Sequence, residues 1–468
     1  MKNDRRIHTD WRTTPRRRTV ALIGALLATM VLLNAAPARV APMPAPGPVG
    51  AVHEGVASCN GSNCHGRPVS SGLVVRQNEL VTWQDPSSKT GAHSRAWRAL
   101  TEPRGQAIAE RLGLGPAQHA PACLGCHTDN APAGLRGLKF QAADGVGCEA
   151  CHGPAGGWLA SHYTVAGASH AVNVAAGMTP LEAPAVRAKV CLDCHFGSDK
   201  PGQFVSHQMM AAGHPRLEFE LDLFTDLQRH HDLDGQRRLG IVASGGVKTW
   251  AIGQALALER TLSLYRDDRW GQAGGLPEFT FYDCRSCHRA FTDPPQLPTG
   301  VANPSRPIPA GTPPFNDANM IVLTAAVQAT EPQLAPRFAA DSLAFHTALA
   351  RDRPSAVRAA GELLATTREL AARFAARGFG PAEAKAILGD IVGGALAERY
   401  TDYQGATQAY MAVDTLVSAQ VAEGQMDRRQ AAAIRAPLFE AVRNANTYRL
   451  AQFRLALGTA AAQIRSLR

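Results

Sequence analysis

Aromatic residues make up only 6 % of this 468-residue chain, a thin supply for a protein that must bury a large core. Charged residues are also modest, at 19 %, against 45 % hydrophobic. That balance excludes disorder over the whole length. Basic runs with interleaved aromatics are missing, which argues against a nucleic-acid partner. Beyond residue 33 no uncharged apolar stretch reaches the length of about 18 residues that a spanning helix needs. Free cysteines are lacking as well. All ten cysteines fall in five pairs, and each pair is followed at once by His.

The N-terminus reads as a secretory signal over residues 1–38. A basic region with Arg5, Arg6, Arg12, Arg16, Arg17 and Arg18 precedes the apolar run 20–33, and Ala36-Pro37-Ala38 supplies a small-residue cleavage site. The expected location is the periplasm, with no transmembrane span after signal cleavage. The formal charge of +9 misleads: +5 belongs to the signal and +4 to the remainder.

The rest divides by composition. Residues 39–52 are a flexible lead rich in Pro, Ala and Gly. Every cysteine lies within 53–293. Eight prolines crowd residues 294–314, so 294–315 reads as an extended connector and a domain boundary. Residues 316–468 hold no Cys, no Trp and one His, His346. Their Ala, Leu, Arg and Glu content favours helix, with amphipathic stretches at roughly 317–329, 333–350, 354–377, 381–399, 402–422 and 428–464. The cysteine-bearing part lacks strand alternation. The expected fold class is therefore mainly α: a region of loops and short helices, followed by a helical bundle that serves as a docking or scaffold module.

The cysteine motifs carry the chemistry. Four have the form Cys-x-x-Cys-His: Cys123/Cys126/His127, Cys148/Cys151/His152, Cys191/Cys194/His195 and Cys284/Cys287/His288. Two thiols one helical turn apart can add to the two vinyl groups of one porphyrin, and the next residue then offers its imidazole to the iron. A widened version, Cys59/Cys64/His65, has four residues between the cysteines and can bulge to deliver both sulfurs. Zinc sites would not need a His after each second Cys, and a dithiol redox site would need a βαβ context. The expectation is five covalently attached haem c groups. Each ferric haem adds about −1, which brings the mature protein near neutrality. The plates themselves would fill much of the core.

Ten further histidines remain after the signal and the five motif residues are set aside: His53, His93, His119, His162, His170, His207, His214, His230, His231 and His346. Five irons need at most five of them, so bis-His ligation is affordable from composition. His207 and His214 are seven apart and would share a helix face. Met209 and Met210 beside them read as core filler.

The segment Gly145-Val-Gly-Cys148-Glu-Ala-Cys151-His152-Gly-Pro154, followed by His162, resembles the third haem segment of the cytochrome c-554 family. His93 in His93-Ser-Arg-Ala-Trp97 is similar to a histidine at the same place in that family. The resemblance covers roughly residues 53–220 and implies haems packed as in hydroxylamine oxidoreductase and pentahaem nitrite reductase, with distal ligands crossing between segments. It implies that His162 serves the haem of His65, that His93 serves that of His195, and that His207 or His214 serves that of His152. The haem of His127 has no fixed distal ligand there, and His119 is the nearest candidate. For the fifth haem, which that family lacks, the candidates are His230 and His231. The expected function is electron relay to and from redox partner proteins. The alternative is an oxidoreductase acting on a small nitrogen or sulfur compound at a five-coordinate haem.

Overall fold

The computed structural model describes residues 51–71, 75–87, 89–164, 169–230, 245–271, 277–288, 306–307, 309 and 312–466. The signal, most of the lead, His231 and most of the 294–315 connector lie outside the described residues. Among the described residues the protein is mainly α and has no sheet. Extended backbone forms two isolated bridges, His53 with Arg136 and Tyr282 with Phe315.

Three motifs sit at the ends of helices. α1 (Pro121–His127) and α3 (Pro184–His195) each begin with Pro at a first-turn position, where its missing N–H costs nothing, and end on the motif histidine. α2 (Cys148–His152) is a single turn. Two short helices follow. α4 (His207–Ala211) is capped by Ser206, whose hydroxyl accepts from the Met209 amide. α5 (Leu221–Leu227) is capped by the Glu220 carboxylate. α6 (Gly246–Arg266) is long and almost wholly buried: Trp250, Leu258 and Tyr265 are all at 2 % exposure or less.

The last 150 or so residues form α7 (Ala318–Thr330), α8 (Ala335–Leu349), α9 (Arg353–Ala376), α10 (Pro381–Val392), α11 (Tyr403–Ala422), α12 (Arg428–Val442) and α13 (Leu450–Ser466). The stretch expected as one helix at 428–464 is two. Asn444 turns the chain between them, its side chain accepting from the Asn446 amide, a local bond that competes with helix.

Packing crosses the connector. One apolar cluster joins Ala188 and Leu192 of α3, Phe204, Phe219, the buried face of α6 and Phe281 to the interior of all the C-terminal helices. α6 lies in the cysteine-bearing part of the chain, yet it packs on α9, α7 and α11. The end of the connector is not a free tether either. The Asp283 amide donates to the Pro314 carbonyl at 2.9 Å and the Asn316 amide to that of Phe281 at 2.9 Å. Arg306, 1 % exposed, lies 3.4 Å from both Asp317 and Asp402. His346 is a buried α8 residue with Nε2 3.4 Å from Asp317.

By contrast, the chain between residues 51 and 180 buries little of its own. Its apolar clusters are small: Val56, Leu80 and Trp83; Leu100, Ala109, Ala117, Ala120 and Cys123; Ala155, Trp158 and Met178. Among the described residues, side chains alone make no continuous core there.

Candidate haem-binding site

Every motif histidine faces a second imidazole. Ring centroids lie 6.0 Å apart for His65 and His162, 6.4 Å for His127 and His214, 6.3 Å for His152 and His230, 6.2 Å for His195 and His93, and 5.9 Å for His288 and His207. Rings in edge contact can also lie this far apart, but the same spacing recurs at all five motif histidines whatever the angle between the rings. The distances suit two imidazoles across one metal: two metal–nitrogen bonds of about 2 Å, plus the distance from each nitrogen to its ring centre.

His162 and His93 stand opposite the motif histidines that the resemblance gives them. The other three pairings differ from expectation. His214 faces His127, and His119 is an exposed residue ending a 3-10 turn. His230 faces His152 rather than His288. His207 faces His288. The reason is local: α4 stops at Ala211, and Gly213 at φ 114° turns the chain, so His207 and His214 do not share a helix face. Met210 lines a cavity beside them.

The second ring nitrogen of several of these histidines is held. Nδ1 of His127 bonds the Ala96 carbonyl at 2.8 Å, that of His214 the Pro215 carbonyl at 2.8 Å, and that of His230 the Gln228 carbonyl at 2.8 Å. Such a bond fixes the tautomer and leaves Nε2 for a metal. The Gln228 side chain accepts from His93, and its amide nitrogen donates to the Thr90 carbonyl at 3.1 Å. His65 instead meets a carboxylate, Glu79 Oε2, at 3.0 Å. Burial lowers the pKa of His93, His162 and His214, and drives that of His195 down to about 4. Neutral imidazole is the form that ligates.

Backbone fits explain the motif residues. Gly145 has φ 78°, and a Cβ there would lie 2.5 Å from the His93 carbonyl oxygen. The next amide, Val146, donates to that same oxygen at 3.0 Å, so the Gly-Val-Gly sequence before Cys148 positions His93. Gly125, inside the second motif, lets the Gly202 backbone approach to where its own Cβ would be 2.4 Å from oxygen. Glu149, inside the third, accepts from the amides of Glu54, Gly55 and Ala155 at 2.6–2.8 Å and so ties the third motif to the chain before the first.

The cysteines also come together across motifs. Cys59 hydrogen-bonds Cys148, and Cys126 hydrogen-bonds Cys194. Burial and neighbouring sulfurs push Cys151 up to about 12, with Cys191 and Cys194 among the causes. The attachment points of motifs one and three are thus adjacent, as are those of two and four, and three and four adjoin.

The fifth motif lies partly at the surface. Cys287 is exposed, as is Cys64 of the widened motif. The cause is local backbone: Cys284–Ser286 is a 3-10 turn rather than a helix, so Cys287 lies past its end and turns outward with the exposed His288. Cys284 is half-buried and accepts from the Arg216 guanidinium at 2.9 Å. The Cys287 amide still donates to the Cys284 carbonyl at 3.3 Å. The two thiols therefore remain one turn apart, but a haem held by Cys287 would have that edge at the surface.

The donor set at each position is two thiols, a motif imidazole and a facing imidazole, which fits haem c. The sequence patterns located the thiols and motif histidines, but Glu79, Glu149, Gln228 and the pairing of His230 carry no sequence signal of their own.

Residues 58–153 match the family model described as cytochrome c554 and c-prime. That stretch is similar to c-type cytochromes of the c554 family. The matched stretch is about one fifth of the chain and spans the first three motifs. No curated protein and no solved structure matches the chain. A c554-type cytochrome carries covalently bound haem c and exchanges electrons with redox partners. No helix among the described residues is long and apolar enough to cross a membrane.

Proposed function

We propose that this protein is a c554-type cytochrome, a periplasmic pentahaem electron relay whose irons are all held between two histidines. The observation that carries this reading is the facing imidazole at 5.9–6.4 Å from each of five motif histidines. A six-coordinate iron passes electrons, whereas catalysis on a small molecule needs an open position. The alternative, turnover of a nitrogen or sulfur compound, requires a motif histidine without such a partner, and all five have one. Adjacent cysteines of motifs one and three, three and four, and two and four support closely packed haems between which electrons hop. The C-terminal helices serve as the scaffold on which α3, α6 and the fifth motif are laid down. Residues 1–38 direct export.

Two measurements on the purified protein test this. Denatured intact mass should exceed the mature polypeptide by five haems. The ferric and ferrous spectra should be wholly low-spin and unmoved by carbon monoxide. A carbon monoxide complex on the untreated protein would favour the enzyme reading.

A further inference from the structure

The turn that follows the first motif is built around a single carboxylate. Gln77, at φ 60°, is the one residue other than glycine with positive φ among the described residues. A side chain in that region is strained and persists only where its surroundings over-determine it. Here the Gln77 carbonyl accepts from the Arg67 amide at 2.7 Å, and the Leu80 amide returns to the His65 carbonyl at 3.0 Å. Glu79 follows, 6 % exposed. Its Oε1 accepts from the Arg76 amide at 2.6 Å and its Oε2 takes the His65 Nδ1 at 3.0 Å. Strain, burial and two hydrogen bonds therefore converge on delivering one carboxylate to one imidazole. His127, His214 and His230 use backbone carbonyls for the same purpose.

A carboxylate accepts more strongly than a carbonyl and pulls the ring proton toward itself. The imidazole then becomes a stronger donor to its metal through the other nitrogen. Stronger donation favours the ferric over the ferrous state. The buried negative charge acts in the same direction, since reduction adds an electron beside it.

We propose that Glu79 is a positioning residue that makes the haem of His65 the lowest-potential member of the relay. The claim rests on the pentahaem, bis-His reading given above. The haem of His65 lies at one end of the succession of adjacent motifs, next to motif three through Cys59 and Cys148. Its widened loop is at the surface, with Ser62, Asn63 and Cys64 exposed, so the low-potential site sits where another protein can reach it.

The test is a spectroscopically monitored redox titration of the whole cytochrome, with Glu79→Gln and Glu79→Asp beside the natural protein. His162→Ala, which opens the same iron, marks which signal belongs to it. In Glu79→Gln the lowest midpoint is expected to rise, changing the ferrous-to-ferric ratio of that haem about tenfold at fixed potential, about 59 mV for one electron. The other four midpoints and the low-spin spectrum should stay put, and Glu79→Asp should restore the low value. An unchanged lowest midpoint in Glu79→Gln overturns the proposal, as does a His162→Ala mark on any haem but the lowest. Should Glu79→Gln lose the haem at Cys59 and Cys64, Glu79→Asp decides: haem retained at the low midpoint supports the role, and equal loss reduces Glu79 to a folding residue. Failure of the underlying reading looks different, since the natural protein would then lack the fifth haem mass or show a high-spin signal.

Discussion

Deleting residues 301–468 should destroy the cytochrome rather than trim it. The perturbation strips the partners of α6, which packs on α3 and α5 on one side and on α7, α9 and α11 on the other. Its large buried apolar side chains are Val247, Trp250, Ile252, Leu256, Leu258, Leu262, Leu264 and Tyr265. Full burial of such a side chain is worth about 1.5–3 kcal/mol. Exposing only half of these would cost roughly 6–12 kcal/mol, on the order of the total stability of a folded domain, ~5–15 kcal/mol. Phe281 and the segment leading into the fifth motif lose Phe315 and the Pro314 carbonyl at the same time. The assay is co-expression of residues 39–300 with haem-attachment machinery, followed by soluble yield, haem per chain and gel filtration. We expect aggregated or proteolysed product. Full-length Trp250→Ala offers a graded version and should lower stability by about 3–5 kcal/mol. A monomeric 39–300 fragment with every haem and near-natural thermal stability would refute the reasoning and restore the prolines as the boundary.

His214→Ala should turn one haem high-spin and reactive to carbon monoxide with haem content intact, while His119→Ala leaves the spectrum unchanged; the reverse pattern would exchange their roles. Arg306→Met leaves Asp317 and Asp402 buried without their shared cation and should cost about 3–5 kcal/mol in chemical denaturation; a loss below about 1 kcal/mol would mean the pair takes up protons or water at little expense. Glu218 lines a cavity of about 80 Å³ beside His195, and burial pushes its carboxyl from the ordinary 4.5 up to about 7, against the opposing pull of Arg216. Between those pH values the folded protein holds a proton that the unfolded chain has released, so this group makes stability fall as pH rises from 4.5 to 7. Glu218→Gln should flatten that part of the profile, and an unaltered slope would exclude the assignment.

The mainly α fold class and the helical second half were legible in the sequence because each rests on a local pattern, apolar periodicity. The pairing of His127 with His214 was not, because it depends on where a five-residue helix stops and how Gly213 turns the chain. The exposure of Cys287 was hidden for the same kind of reason, since the motif's spacing is the same whether a helix or a 3-10 turn carries it. Likewise, the apolar face of α6 announces a helix but not what covers it. At the end of the proline-rich connector, Phe315 forms an isolated bridge with Tyr282. What the prolines do not reveal is that Arg306 anchors the connector's end inside the bundle. Second-nitrogen partners such as Glu79 and Gln228 are invisible for a similar reason: a Glu 14 residues from a histidine has meaning only after the turn between them is known.

The crossing of histidine pairs has a consequence for maturation. Partners stand roughly 80 to 100 residues apart in sequence, so each iron that joins a pair closes a loop of that length. On the scale that applies to disulfides, such a closure removes about 4–5 kcal/mol of freedom from the unfolded chain. The order of closure is asymmetric. His162, His214 and His230 follow the motifs they face, whereas His93 and His207 precede theirs. On the periplasmic pentahaem reading proposed above, a chain exported from its N-terminus would present motifs one, two and three before their partners have emerged, but motifs four and five with partners already across. The first three motif histidines would then wait for their facing imidazoles, and the last two could pair at once. Assembly would thus tighten backward along the chain from its later loops, and the half-exported protein would pass through a stage at which its irons are far more reactive than in the finished cytochrome.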